Sequence, residues 1–285
     1  LILNNLSQEY YTKYLVVLDM SGINKKKISK NINIINLKKP KLSSNFFKIY
    51  QLINKKKFDI VFSTFFHINF FLCILKFFLN FKLIIRESND PKYIIKKHSK
   101  SFLISIFYRY LYPKADKIIV PGKYLIKRLM DLSIPKYKIK KIYNPVYKNK
   151  NINFKNKNKY YCAIGRLTYQ KGFDELIDLV NHSDLKKLMI IGNGPEKKEL
   201  IKIGNKKKII FVKETKIKNY LLNSKALLFS SRWEGMPNVV LESLMYGTKI
   251  LSTSRIESIL ELKKIIRKNF IITCTNKNFN KTINK

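Results

Sequence analysis

The sequence is short of acid. Against 58 lysines and arginines it carries only 18 aspartates and glutamates, a formal net charge of +40 over 285 residues. Such a chain attracts anions, so nucleic acid, a membrane surface and an anionic small substrate all qualify as partners. Lysine, asparagine and isoleucine also crowd stretches without apolar pattern, such as 148–159, so part of the charge is a compositional bias. Cysteine is scarce too. Cys73, Cys162 and Cys274 are far apart and odd in number. That excludes a disulfide framework and a zinc-binding spacing, and fits a reducing cytosol. No charged segment with a cleavage site follows Leu1, so no signal peptide is read, and the chain is expected to lack its true start. A clean membrane span is missing as well. Ile60 to Leu79 is strongly apolar and nearly long enough, but it contains His67, Asn69 and Lys76. It reads as a buried strand followed by a very apolar helix.

What is present is an alternation of strand-like and helix-like runs, 46% hydrophobic overall and long enough for two domains. In the first half, strands are expected at Tyr14–Leu18, Ile32–Leu37, Asp59–Ser63, Lys82–Arg86, Lys117–Val120 and Lys140–Tyr143. Helices are expected at Phe46–Asn54, Asn69–Leu79, Ser101–Tyr112 and Tyr124–Leu132. Residues 145–159, almost all Asn and Lys, read as a linker. The alternation then restarts. Strands at Tyr160–Ile164, Leu188–Ile191, Lys208–Val212, Ala226–Phe229 and Lys249–Leu251 enclose helices at Phe173–Asn181, Glu196–Ile203, Ile217–Leu222 and Asn238–Tyr246. Past Arg255 the turn signals fade, and a frayed polar tail is expected. The chain divides into 1–144, a linker at 145–159, and 160–285. Each half is an α/β unit with a parallel sheet, and ligands belong at the strand ends in the crevice between them.

The chemistry gathers in the second half. After the strand ending at Phe229 comes a polar loop with Glu234 and Gly235, then Met236, Pro237 at a first helical turn, Asn238, and Glu242 eight residues beyond Glu234. A helix N-terminus with its free N–H groups suits a phosphate, and two carboxylates beside it suit sugar hydroxyls. Gly165-Arg166 and Lys171-Gly172 place two cations between a strand and a helix, where they can clamp a diphosphate. Gly192 and Gly194, ahead of another helix, permit close backbone approach to a ligand, though alone they are an ordinary strand–helix turn. The bland alternatives are solvated cations, a loop acid and a helix salt bridge. His67 beside an apolar helix reads equally as a functional residue and as a satisfied core or cap residue.

Taken together and in order, Gly165-Arg166 with Lys171-Gly172, Gly192-Asn193-Gly194-Pro195, and Ser231 to Gly247 with its glutamate–seven–glutamate spacing resemble family 4 of the retaining glycosyltransferases. In the first half Phe62-Ser63-Thr64, His67-Ile68-Asn69, Arg86-Glu87-Ser88-Asn89 and Tyr112 to Val120 resemble members that build bacterial surface polysaccharide, and Asn144-Pro145 resembles the family's exit from its first domain. The resemblance implies the GT-B fold, two Rossmann-like domains facing each other across a cleft. It implies transfer of a sugar from a nucleotide sugar, UDP-linked before others, to a glycan or lipid-linked glycan. Arg166 and Lys171 would hold the diphosphate and stabilise the departing charge. Glu234 would contact sugar hydroxyls and Glu242 the ribose. Gly165, Gly192, Gly194 and the backbone from Gly235 through Met236 and Pro237 to Asn238 would line the donor. His67, Glu87 and Asn89 would face the acceptor. No metal or cofactor is expected, since no Asp-x-Asp occurs. The basic, aromatic-rich first half would rest on an anionic inner leaflet. The sequence departs from the family pattern at Lys213, where a glycine is usual, and in having no glycine-rich loop after a first strand. The competing reading is a non-catalytic basic protein for membranes or nucleic acid, or an inactive transferase remnant; no RNA-binding motif supports nucleic acid.

Overall fold

A computed structural model describes residues 2–20, 28–39, 41–97, 101–146, 159–213, 217–253, 256–266 and 269–284. Every paired strand runs parallel to its neighbour. In the first half β1 (Tyr14–Val17) pairs with β2 (Asn33–Asn36), and β3 (Ile60–Ser63), β4 (Lys82–Arg86), β5 (Lys117–Val120) and β6 (Ile139–Lys141) form a second sheet in that order. One parallel sheet was the expectation for this half. Among the described residues no ladder joins β1 to β3, so the strands stand in two sheets that share a core, to which Leu37, Ile49 and Ile53 on one side and Leu83, Ile85, Ile118 and Val120 on the other contribute.

The apolar stretch from Ile60 divides as expected into a strand and a helix, Phe66–Leu75. Its polar residues are satisfied within a globular fold. Buried Asn69 accepts from Ser63 Oγ at 2.6 Å and donates to Tyr112 Oη at 3.3 Å, while Lys76 Nζ reaches the Phe81 carbonyl at 2.6 Å and Asp116 at 2.9 Å. Among the described residues no helix is long and apolar enough to cross a membrane. A helix at Pro91–Lys97 went unforeseen in the sequence. Its Pro91 suits a first turn, where a missing N–H costs nothing.

The second half is one six-stranded sheet in the order β12-β11-β10-β7-β8-β9, with β7 at Tyr160–Ile164, β8 at Leu188–Ile191, β9 at Ile209–Val212, β10 at Ser224–Phe229, β11 at Lys249–Ser252 and β12 at Ile271–Thr273. Cys162, Ala163, Leu188, Ile190 and Ile250 are wholly inaccessible, as parallel strands covered on both faces require. The end of the chain corrects the sequence reading. Past Arg255 lie a helix at Glu257–Ile265, strand β12 on the sheet edge, and a helix at Phe279–Ile283. The reason is packing: Ile259, Leu262, Ile271 and Phe279 are buried, Thr275 and Asn278 form a capping box, and Tyr161 Oη donates to the Ile283 carbonyl at 2.9 Å. The expected linker falls mostly outside the described residues; Pro145, Val146 and Lys159 at its ends are inside them.

Candidate functional site

Strands β10, β7 and β8 are adjacent and parallel, so the loops leaving them share one rim. The β7 loop closes with a short 3-10 turn, Tyr169–Lys171, and Gly172 in the left-handed region opens the helix Phe173–Asn181. The β10 loop ends at Pro237, which caps the helix Asn238–Met245 with no side-chain cap of its own. These two loops bring Lys171 Nζ onto Glu234 Oε1 in an ion pair, and Ser231 Oγ donates to the same oxygen at 3.1 Å. Arg166, in the same β7 loop, is exposed, and its guanidinium makes no hydrogen bond or ion pair among the described residues. Glu242 is half-buried, which raises its pKa, and its carboxylate likewise has no partner among the described residues.

The glycines are placed differently from the sequence reading. Gly192 has φ +155°, and a Cβ there would sit 1.9 Å from the Gly165 carbonyl oxygen; a Cβ on Gly194 would sit 2.2 Å from that of Leu167. Their close approach is to the neighbouring β7 loop, which they lock in place. Met236 is a core residue by its side chain, so only its backbone faces the loop's surroundings.

Arg232 organises the rim and was not singled out in the sequence. Its guanidinium holds Asp174 in bidentate fashion at 2.9 and 2.7 Å, bonds Glu175 at 2.8 Å and the Tyr169 carbonyl at 2.6 Å, and lies 3.9 Å from the Tyr169 ring centre. The Asp174 carboxyl is held below its usual range by that arginine, and the guanidinium is pushed higher still. One side chain thus ties the β10 loop to the turn that presents Lys171. Its partners lie 58 and 57 residues away, so no local pattern could have marked it.

The first half closes over this rim. Trp233 stacks on Tyr93 with ring centres 5.0 Å apart, and Tyr124 Oη donates to the Glu234 carbonyl at 2.5 Å. Asn144 donates to the Met236 carbonyl at 3.2 Å and to Asn238 Oδ1 at 2.6 Å, and is itself bonded by Arg86. The turn Glu87–Asn89 seats against Gly235, where a Cβ would lie 1.7 Å from the Ser88 carbonyl oxygen. Of the three acceptor-side candidates, Asn89 is exposed beside that contact. His67 is exposed near the start of its helix between Phe65 and Phe66, where partial burial lowers its pKa. Glu87 is buried: Tyr112 Oη and Tyr108 Oη donate to one oxygen at 2.7 and 3.0 Å, the Asn89 N–H to the other at 3.1 Å. It props the turn from beneath and touches nothing in the cleft.

Comparison with known proteins fits this geometry. Residues 22–149 match the family model described as Glycosyltransferase Family 4, and residues 147–285 the one described as Glycosyl transferases group 1. An uncharacterized 41.2 kDa protein in the cps region of Klebsiella pneumoniae is 28% identical over 239 residues, 75% of this chain and 65% of that one. N-acetylgalactosamine-N,N'-diacetylbacillosaminyl-diphospho-undecaprenol 4-alpha-N-acetylgalactosaminyltransferase of Campylobacter jejuni is 28% identical over 197 residues, 64% of this chain and 53% of that one. The chain therefore spans roughly half to two thirds of these relatives' own length. Among solved structures, Anabaena HepE in complex with UDP superposes with a TM-score of 0.73 over 95% of this chain and 81% of that one at 14% identity, a likeness of fold. The fold is GT-B.

Proposed function

The chain belongs to the family 4-type glycosyltransferases, and from that premise we propose that it transfers a sugar from a nucleotide sugar, UDP-linked, to a glycan or lipid-linked glycan with retention of configuration. The observation that carries this reading is the Lys171–Glu234 ion pair at the rim shared by the β7 and β10 loops, under an uncapped helix start. A cation already balanced by a carboxylate can turn to a diphosphate when one arrives, freeing the carboxylate for sugar hydroxyls. Arg166 adds a second cation at the mouth, and Glu242, half-buried and unpartnered among the described residues, takes the ribose hydroxyls. The bond from sugar C1 to the phosphate oxygen breaks while the acceptor hydroxyl oxygen joins C1 from the same face, its proton passing to the departing phosphate oxygen. Charge left on the nucleoside diphosphate falls to Lys171, Arg166 and the helix end, with no metal ion required. The UDP in the Anabaena neighbour and the diphospho-undecaprenol in the Campylobacter relative's name support the donor and acceptor classes. With +40 of charge, the enzyme works as a peripheral protein on an anionic inner leaflet.

Thermal stabilisation by a panel of nucleotide sugars tests the site. Ligand at a hundred times its Kd adds about 2.7 kcal/mol. UDP-sugars should raise the melting temperature, and both Lys171→Ala and Glu234→Ala should abolish most of the rise and of sugar transfer. Transfer at the native rate by Glu234→Ala would overturn the assignment. Failure to bind any nucleotide sugar, with lipid or RNA binding intact, would favour the non-catalytic alternative.

A further inference from the structure

The helix Ser101–Tyr110 is apolar on two opposite sides. Ile104 and Tyr108 are buried in the first-half core. On the outer side stand Phe102, 75% exposed, Leu103, 45%, Phe107, 39%, and Tyr110, 65%, with Arg109 at the edge of the stripe. A surface helix ordinarily turns a polar face outward. The patch extends beyond this helix. Phe107 meets Phe70 of the helix Phe66–Leu75, ring centres 5.6 Å apart. Beyond the end of that helix Phe77 and Phe78 are 56% and 69% exposed, with Lys114 Nζ 4.7 Å from the Phe77 ring centre.

The segments that build this patch carry charge of one sign. No aspartate or glutamate occurs in residues 60–86 or 101–115. The acid that follows, Asp116, is bonded by Lys76 and by the Leu83 N–H. Arg109 and Lys114 are exposed at the edges. Asp59 is exposed beside the start of the strand that follows Phe78, where its carbonyl accepts from the Lys82 N–H at 3.1 Å. Several protruding aromatic rings with cations at their edges, on segments that carry no acid of their own, match the interface of an anionic bilayer, where rings enter the headgroup boundary and cations meet lipid phosphates. An acidic protein partner would share the charge but leave four or more large apolar side chains in search of apolar pockets; a bilayer accepts them in any arrangement.

We propose that the outer face of helix 101–110, continued by Phe77 and Phe78, is the surface on which this chain docks onto anionic phospholipid. This deepens, and rests on, the reading of the chain as a peripheral membrane protein; it is independent of the donor-site residues.

The test is co-sedimentation of the full chain with vesicles of phosphatidylcholine alone and of equal parts phosphatidylcholine and phosphatidylglycerol. The native chain should bind the mixed vesicles and bind neutral ones at least about tenfold more weakly. Phe78→Ser combined with Phe102→Ser, and separately Arg109→Glu combined with Lys114→Glu, should each lower partition onto mixed vesicles by about tenfold or more. Both double variants should keep the native melting temperature and its rise with UDP-sugar, which separates loss of docking from loss of fold or donor site. Unchanged vesicle binding by either double variant would overturn the proposal, because diffuse charge would then suffice. Equal binding to both vesicle types would overturn it too. So would a dimer in solution that the Phe78/Phe102 variant converts to monomer while vesicle binding persists, since the patch would then be a self-interface.

Discussion

Glu87 is a carboxyl buried beneath the 87–89 turn, and its protonation should be visible in the stability. Burial raises its pKa, and the hydrogen bonds from Tyr112, Asn89, Tyr108 and Ser88 only partly oppose that. The folded chain then holds a proton over a pH range where the unfolded chain, with a carboxyl near 4.5, has lost it. Its contribution is full below that ordinary value and declines as pH rises through the raised folded value. The stability advantage of the native chain over Glu87→Gln should therefore shrink with rising pH across this window. Urea denaturation of both proteins at a series of pH values measures the difference and cancels the other titrations. A gap that stays constant or widens would mean the carboxylate is charged in place. At this scale the sequence was legible where chemistry is local. That Lys171 and Glu234 stand in loops at the strand ends was readable, because the flanking strand and helix of each show in the pattern; their ion pair was not. Arg232 and the burial of Glu87 were not, because each depends on residues brought in from another element: Asp174 and Glu175 for the arginine, Tyr108 and Tyr112 for the carboxylate.

Elements meet through backbone where side chains would not fit. Gly235 passes so close to Ser88 that a methyl group cannot be placed without moving one loop, and backbone on both sides leaves no flexible side chain to yield. Gly235→Ala should separate the β10 loop from the 87–89 turn and unstack Trp233 from Tyr93. Trp233 is the single tryptophan of the chain, so its emission should shift to the red, and donor stabilisation should weaken by about tenfold or more. Emission and UDP-sugar affinity identical to the native chain would refute the contact. At the far end of the second half, Phe279 is a core residue on a helix that no periodic pattern marks. Phe279→Ala should cost about 3–5 kcal/mol, measured by chemical denaturation; a loss under about 1 kcal/mol would mean the segment frays after all. That helix escaped the sequence reading because a short stretch rich in Asn and Lys shows no amphipathic period. Its order comes from one buried ring, a capping box and a bond to Tyr161. The strands were easier, since runs such as Leu188–Ile191 and Ile118–Val120 can only be buried.

At the scale of the whole molecule, two halves of a strongly cationic chain are held together with few compensating charges. The contacts across the cleft are mainly neutral: the Tyr93–Trp233 stack, the Tyr124 bond to the Glu234 carbonyl, and Asn144 on Met236 and Asn238. Glu261 accepts from the Lys123 N–H at 2.6 Å and from Tyr143 Oη at 2.7 Å. Among the described residues the ion pair that spans the halves, Arg128–Glu257, is half-exposed on the glutamate side, and such pairs contribute about 0–1 kcal/mol. Against it stands the mutual repulsion of a +40 surface, which reaches across the molecule when the screening length is about 30 Å and is confined to neighbours when it is about 3 Å. Repulsion of that range acts on the compact state more than on an expanded one. The melting temperature should therefore climb as sodium chloride is raised from about 0.01 M toward about 1 M, most steeply at the low end, where the screening length shortens through the size of a domain. A fall with salt would show that attractive pairs outweigh the repulsion. A rise with phosphate that chloride does not give, and that Lys171→Ala loses, would place the effect in anion binding at that site. A rise with chloride that is unchanged in Lys171→Ala is the outcome that whole-chain repulsion requires.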